Sequence, residues 1–231
     1  MNKSIFSKAL KATIPVFLGY LAIGTAFGML VVKQGYPWYL SLIMSSVIYA
    51  GAGQYIALGL FAAGTGLMQM LIISFLVNCR HMIYGVSLLD KFKNIPKLIK
   101  LYLIFSLTDE TYALLTTTNY DEKDKNKFYF LVSFLNQLYW ILGSLLGAIA
   151  GTLIPFNFKG IDFALTALFA VLFVEQFRNC DSKVPFILGG IAGLLGILIN
   201  KENMLIISII IYIFSLIFSK NKLNFREERQ C

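Results

Sequence analysis

Between Lys33 and Arg80 the chain has no Asp, Glu, Lys, Arg or His, an uncharged run long enough to cross a bilayer core of ~30 Å twice. Apolar stretches divided by charge, Pro or Gly recur at residues 12–32, 38–62, 67–89, 101–118, 128–154, 163–177, 185–200 and 204–218. Eight such segments predict an all-α, polytopic transmembrane helical bundle, because a helix satisfies every backbone polar group within its own segment in lipid. Pro15, Pro37 and Pro185 fall in the first turn of their segments, where a missing N–H costs nothing, and Pro155 ends another. No domain boundary is visible, so residues 1–231 are read as a single integral membrane domain. The one hydrophilic insertion, residues 121–127, balances three acids with three lysines and reads as a solvated loop.

Composition agrees: 58% of the 231 residues are hydrophobic and 14% charged, with a mean hydropathy of +0.72, which does not fit a water-soluble surface. The net charge of +8 comes from Lys3, Lys8, Lys11, short loops, and Lys220, Lys222, Arg226 and Arg229. Membrane proteins carry topology charge in these places, so no nucleic-acid partner is implied. A charged start followed by a long apolar stretch over 13–32 reads as an uncleaved first span. Cys79, Cys180 and Cys231 lack CxxC spacing, and the lone His81 builds no zinc site with them. HExxH, GxSxG and P-loop signatures are absent, so neither an enzyme nor a cofactor is expected.

Both termini are basic and are expected in the cytoplasm, which requires an even number of crossings. Eight simple crossings leave Lys91, Lys93, Lys97 and Lys100 outside, with about 12 basic residues inside against about 7 outside. Making 38–62 and 163–177 re-entrant or broken helices leaves six full crossings and improves the balance to about 14 against about 5. Gly24, Gly28, Gln54 and Asn78 are echoed by Gly147, Gly151, Gln176 and Asn200. These echoes suggest repeat halves 12–118 and 128–218, inverted if each half crosses three times.

Ionisable residues inside apolar segments cost about 2.5–3.5 kcal/mol each at a helix centre and normally face a bundle interior or a wet cavity. Two groups qualify, Asn78-Cys79-Arg80-His81 and Thr108-Asp109-Glu110. Counted from their shared loop, Arg80 and Asp109 both lie ~14 Å deep and should meet near the midplane. Neighbouring helix positions point ~100° apart, so Asp109 and Glu110 must diverge, as must Arg80 and His81. Ser74, Asn78, His81 and Gly85 form a polar stripe at helical spacing, as on a helix lining a wet pathway. An alternative is a buried ion pair that only locks two helices together. The run Tyr49-Ala-Gly-Ala-Gly-Gln54 allows close packing or an unwound backbone beside the lone amide. Gly143, Gly147 and Gly151 form a small-residue packing face. Glu175 could serve proton coupling or simply sit at an interface.

As a set, Tyr49-Ala-Gly-Ala-Gly-Gln54, Asn78-Cys-Arg-His81, Thr108-Asp-Glu110, Asn136-Gln-Leu-Tyr-Trp-Ile-Leu-Gly143 and the stretch 160–169 resemble the AzlC family over most of the chain. Cys79 stands where an apolar residue is expected in the second motif. The resemblance implies a single transporter domain, the larger part of a two-part permease exporting branched-chain amino acids with a small AzlD-type membrane subunit. Its substrates would be valine, leucine, isoleucine and methionine. The candidate substrate-binding residues are Gln54, Asn78, Arg80, Asp109 and Glu110, and the proton-coupling candidates are His81, Glu110 and Glu175. A non-transporting membrane scaffold that stabilises a partner is the competing class.

Overall fold

The computed structural model describes residues 3–117, 122–153, 182–201 and 204–219, with 170, 173, 174, 177 and 178 as isolated positions. The chain divides into two units, Met1–Thr166 and Ala167–Cys231. All regular structure among the described residues is helical, in line with the bundle expected from the apolar segments.

The first unit contains α1 (Lys3–Lys33), α2 (Trp38–Val47), α3 (Gly51–Ala62), α4 (Leu67–Ser87), α5 (Lys97–Phe105), α6 (Asp109–Thr117) and α7 (Glu122–Leu153). Three stretches within these helices are long and apolar enough to cross a membrane: Ile5–Lys33, Leu67–Ser87 and Lys125–Leu153. The remaining four helices have 9–12 residues, which at ~1.5 Å per residue span about half a bilayer core. Pro37 and Pro96 occupy the N-cap positions of α2 and α5. Pro15 lies inside α1 rather than in its first turn, because the basic residues before the apolar stretch are helical as well.

The half-length helices pair into two re-entrant hairpins. The rings of Tyr36, just before α2, and Phe61, near the end of α3, lie 6.3 Å apart. The α2–α3 hairpin therefore enters and leaves at the end of the bundle where α1 finishes. Its tip is the break at residues 48–50. The α5–α6 hairpin enters from the opposite end: Tyr102 of α5 reaches Gln137 and Thr111 of α6 reaches Asn136, so both limbs lie beside neighbouring residues of α7. At the outer end of α6, Lys91 Nζ donates to the carbonyls of Leu115 and Thr116 at 3.1 and 3.0 Å. There it meets the orphan acceptors of a helix C-terminus. Partial burial and the charge of Lys125 lower the Lys91 pKa from the ordinary lysine value.

Of the two segments that the charge balance made re-entrant, 38–62 is so, and 163–177 lies largely outside the described residues. The segment 101–118 departs from expectation. It breaks at residues 106–108 and returns to the end it came from instead of crossing. The physical cause lies in Thr108, which begins a new helix by accepting a hydrogen bond from the Thr111 backbone N–H at 3.2 Å.

This second hairpin fixes the direction of α7. Gly143 packs on Tyr20 and Leu21, Gly147 on Thr25, and Gly151 on Met29 and Val32, so α1 and α7 run parallel. A Cβ at Gly143 would stand 2.8 Å from the Tyr20 carbonyl, and one at Gly28 would fall onto the backbone of Ser144. The small-residue face expected of Gly143, Gly147 and Gly151 is therefore a packing face, met by Gly24 and Gly28. The helices that open the two suggested halves, α1 and α7, run parallel. Inversion is found on a smaller scale: α1 with its hairpin and α4 with its hairpin point in opposite directions.

Every lysine before residue 153 except Lys33 lies at or near the end where α1 begins. In the second unit, α8 (Val184–Ile199) and α9 (Met204–Ser219) pack antiparallel, Gly189 facing Tyr212 and Gly196 facing Ser208. Pro185 sits in the first turn of α8 as expected.

Candidate functional site

The two hairpin tips meet halfway along α1 and α7. Phe105, before the second break, and Tyr49, in the first, have ring centroids 6.4 Å apart. Tyr49 is buried and holds a backbone φ of 43°, the left-handed region that a bulky residue rarely adopts. Such a conformation costs about 1–3 kcal/mol and persists only where the surroundings impose it.

One stretch of α7 holds all four half-helices. Asn136 donates to Thr111 of α6 at 2.9 Å. Gln137 accepts from the Tyr102 hydroxyl of α5 at 2.7 Å and donates to the Ser46 carbonyl of α2 at 3.2 Å. The Trp140 indole N–H donates to Gln54 Oε1 of α3 at 2.8 Å, and its ring covers Gly51. These contacts account for the motif 136–143 in structural terms. Asn136, Gln137 and Trp140 each satisfy a hairpin group that lipid could not, while the Tyr139 hydroxyl lies 3.1 Å from Thr13 Oγ1 of α1.

Beside the tips stand the charges. Arg80 of α4 and Asp109 of α6 form an ion pair at 2.6 Å, as their common depth predicted. The two side chains remain 33% and 30% exposed, while Arg80 Nε and Asp109 Oδ1 are buried without a hydrogen-bond partner. Asp109 and Glu110 diverge as helix geometry requires: Glu110 turns to α1 and accepts a hydrogen bond from the Tyr20 hydroxyl at 2.7 Å. Tyr20 lies equally close to Thr108 Oγ1, at 2.7 Å. Glu110 is exposed, in contrast to its buried partner Tyr20. No basic side chain among the described residues pairs with it. Both acids sit in the first turn of α6, where the helix dipole favours negative charge.

The other expected site residues are distributed less simply. Asn78 packs against Gly53, where a Cβ would lie 2.8 Å from the amide, and donates to the Ser74 carbonyl at 2.8 Å. His81 Nδ1 lies 3.2 Å from the Asn78 carbonyl, and its ring meets Tyr84 edge-on at 6.0 Å. Tyr84 in turn stacks on Tyr112 at 4.4 Å. Gln54 is fully buried, with Oε1 engaged by Trp140 and Nε2 donating to Ser45 at 3.3 Å. Its contacts run to the hairpin scaffold rather than to the ion pair. Glu175 and Gln176 lie outside the described residues. Sequence reasoning did not single out Tyr20, Tyr49, Thr111 or Tyr84. Tyr20 and Tyr49 could have been suspected only as polar-tipped rings in otherwise apolar stretches.

The architecture defines a multi-span α-helical membrane protein whose half-depth hairpins bring an ion pair and a second carboxylate to its centre. The chain belongs to the AzlC family: the family model described as AzlC protein matches residues 15–154, nearly the whole of α1 to α7. It is 41% identical to a membrane protein of Helicobacter pylori over 230 residues, covering 98% of this chain and 97% of that one. It is 39% identical to the branched-chain amino acid transport protein AzlC of Bacillus subtilis over 185 residues, 78% and 72% of the two chains. The inner membrane protein YgaZ of Escherichia coli is 25% identical over 201 residues, 83% and 82%. No solved structure matches.

Proposed function

We propose that the chain is a secondary transporter that exports branched-chain amino acids such as valine, leucine and isoleucine, and also methionine, in exchange for proton entry. The observation that carries this reading is the meeting of two opposed hairpin tips beside Arg80, Asp109 and Glu110. Discontinuous helices near the bilayer midplane are where secondary transporters bind their substrates, because the interrupted backbone can serve a ligand there. A zwitterion needs a cationic and an anionic contact in an otherwise apolar setting, and these three side chains supply both. The printed name of the Bacillus subtilis relative supports the substrate class.

Several finer parts of the reading follow. Arg80, Asp109 and Glu110 contact substrate, with Asn78 beside them, while Gln54 acts from the scaffold through Trp140. His81 and Glu110 are the proton-coupling groups, with Glu175 as a further candidate. By the positive-inside rule the lysine-rich end, and with it the N-terminus, faces the cytoplasmic side of the cell membrane. The basic C-terminal tail is expected on the same side. Family resemblance supplies a small AzlD-type subunit as partner.

Counterflow of labelled valine into liposomes, with this chain alone and with its small partner, tests the proposal. Valine exchange above protein-free liposomes is expected, and its absence in both preparations would remove the transport reading. The direct Arg80–Asp109 contact also favours a second reading, a non-transporting scaffold in which the pair is a helix lock. Stabilisation of the purified protein by valine separates the two, since a scaffold has nothing to bind.

A further inference from the structure

We propose that Tyr49 and Glu110 together form the ammonium-binding half of the site, leaving Arg80 for the carboxylate. The inference rests on the transport reading and deepens it by assigning the two ends of the substrate.

Three observations lead to it. The first is charge: Asp109 already neutralises Arg80 at 2.6 Å, whereas no basic side chain among the described residues pairs with Glu110, which accepts a hydrogen bond from the Tyr20 hydroxyl. A carboxylate at mid-depth with no cation suits a positively charged ligand group or a proton. The second is the Tyr49 hydroxyl. It is buried, the whole residue being 3% exposed, and has no hydrogen-bond partner. It lies beside the hydroxyls of Tyr20 and Thr111 without a bond of acceptable geometry to either, and that Tyr20 hydroxyl is the one that donates to Glu110 at 2.7 Å. Buried hydroxyls are normally paired, so an orphan next to an unpaired carboxylate marks a place where a donor is missing. A primary ammonium has three N–H donors and no acceptor. It meets the needs of both groups at once.

The third observation is the backbone. Tyr49 holds its left-handed φ of 43° between Ile48 and Ala50, where a glycine would be unstrained. The side chain is therefore retained at that position in spite of the backbone, and its ring against Phe105 places the hydroxyl at the junction of the two tips. Ammonium binding there bridges the first hairpin, through Tyr49, to the second, through Glu110. Substrate thereby closes the contact between elements that enter from opposite ends of the bundle.

The test uses the protein with its small partner in liposomes and compares competitors of labelled valine exchange. L-Valine has both charged groups, valinamide lacks the carboxylate, and the 2-oxo acid of valine lacks the ammonium. Tyr49→Phe keeps the ring and removes only an unpaired hydroxyl, so the unliganded thermal midpoint should not move. Its apparent affinity for valine and valinamide should fall by about tenfold or more, the scale of one hydrogen bond to a charged group. Competition by the 2-oxo acid should be unchanged. Glu110→Gln should repeat this pattern, with a larger loss. Wild-type affinity for valinamide in Tyr49→Phe, or an equal loss for the 2-oxo acid, overturns the inference and leaves the transport reading standing. A wild-type protein that neither binds nor exchanges valine brings down both.

Discussion

Removing Arg80 separates a lock from a binding site. Arg80→Ala leaves Asp109 without the cation 2.6 Å away, and Asp109 Oδ1 is already buried and unpartnered. Breaking a fully buried pair costs ~3–5 kcal/mol, whereas an exposed pair is worth ~0–1 kcal/mol. With the two side chains 33% and 30% exposed, the expected loss lies between, ~1–3 kcal/mol. For a chain of this size that lowers the thermal midpoint by on the order of 5 °C. The midpoint is read in detergent and valine exchange in liposomes, for Arg80→Ala, Asp109→Asn and the double variant. Neutralising Asp109 removes the stranded charge, so the double variant should recover most of the lost stability. If the pair only locks α4 to α6, exchange returns with it. If Arg80 holds the substrate carboxylate, exchange stays absent in a stable protein, and that is the expected result. Normal exchange by Arg80→Ala alone would show that the assignment of the site is wrong.

Gly28→Leu should leave little folded protein by size-exclusion chromatography, because its side chain would have to occupy the backbone of Ser144; Gly19→Ala, with nothing within 4 Å, should elute as wild type. A monodisperse Gly28→Leu protein would contradict the α1–α7 contact. His81→Gln should preserve valine exchange while flattening the pH dependence of net efflux. Unchanged pH dependence would shift coupling to Glu110 or Glu175. In a background lacking Cys79, Cys180 and Cys231, a cysteine replacing Lys93 should be protected from an impermeant thiol reagent on intact cells. One replacing Ala63, in the turn between the first hairpin and α4, should label. The reverse pattern would invert the assignment of the cytoplasmic end.

Much of this was legible from the chain. The three long spans follow from apolar length, and the meeting of Arg80 with Asp109 follows from counting residues back to a shared loop. The re-entrant first hairpin could be inferred from lysine distribution, since topology charge reports on crossings that hydropathy alone does not resolve. The second hairpin was hidden because residues 101–118 have the length and apolarity of a span. Yet a helix-start signal was present in Thr108-Asp109-Glu110, a capping residue followed by acids in the first turn. Their polarity was credited wholly to chemistry, although part of it is capping. The first break was only half announced: the run from Tyr49 to Gln54 allowed an unwound backbone or close packing, but Ile48, Tyr49 and Ala50 carry no turn chemistry, and the φ of Tyr49 is imposed by tertiary contacts. Gln54 invited a ligand role as a lone amide among small residues. Only the long-range indole of Trp140 accounts for it.

The placement of Asn136, Gln137 and Trp140 on α7 bears on the order in which the molecule can be made. The hairpins are synthesised first, yet the groups that satisfy Ser46, Gln54, Tyr102 and Thr111 belong to a helix that leaves the ribosome afterwards. Half-length helices with open tips are poor solutes in hydrocarbon on their own. The hairpins, residues 38–62 and 97–117, must therefore wait at the membrane, shielded by the insertion machinery or held near the interface, until α7 arrives. Nascent chains halted before residue 136 should stay sensitive to protease across both hairpins, and chains extended past residue 153 should acquire protection in both at once.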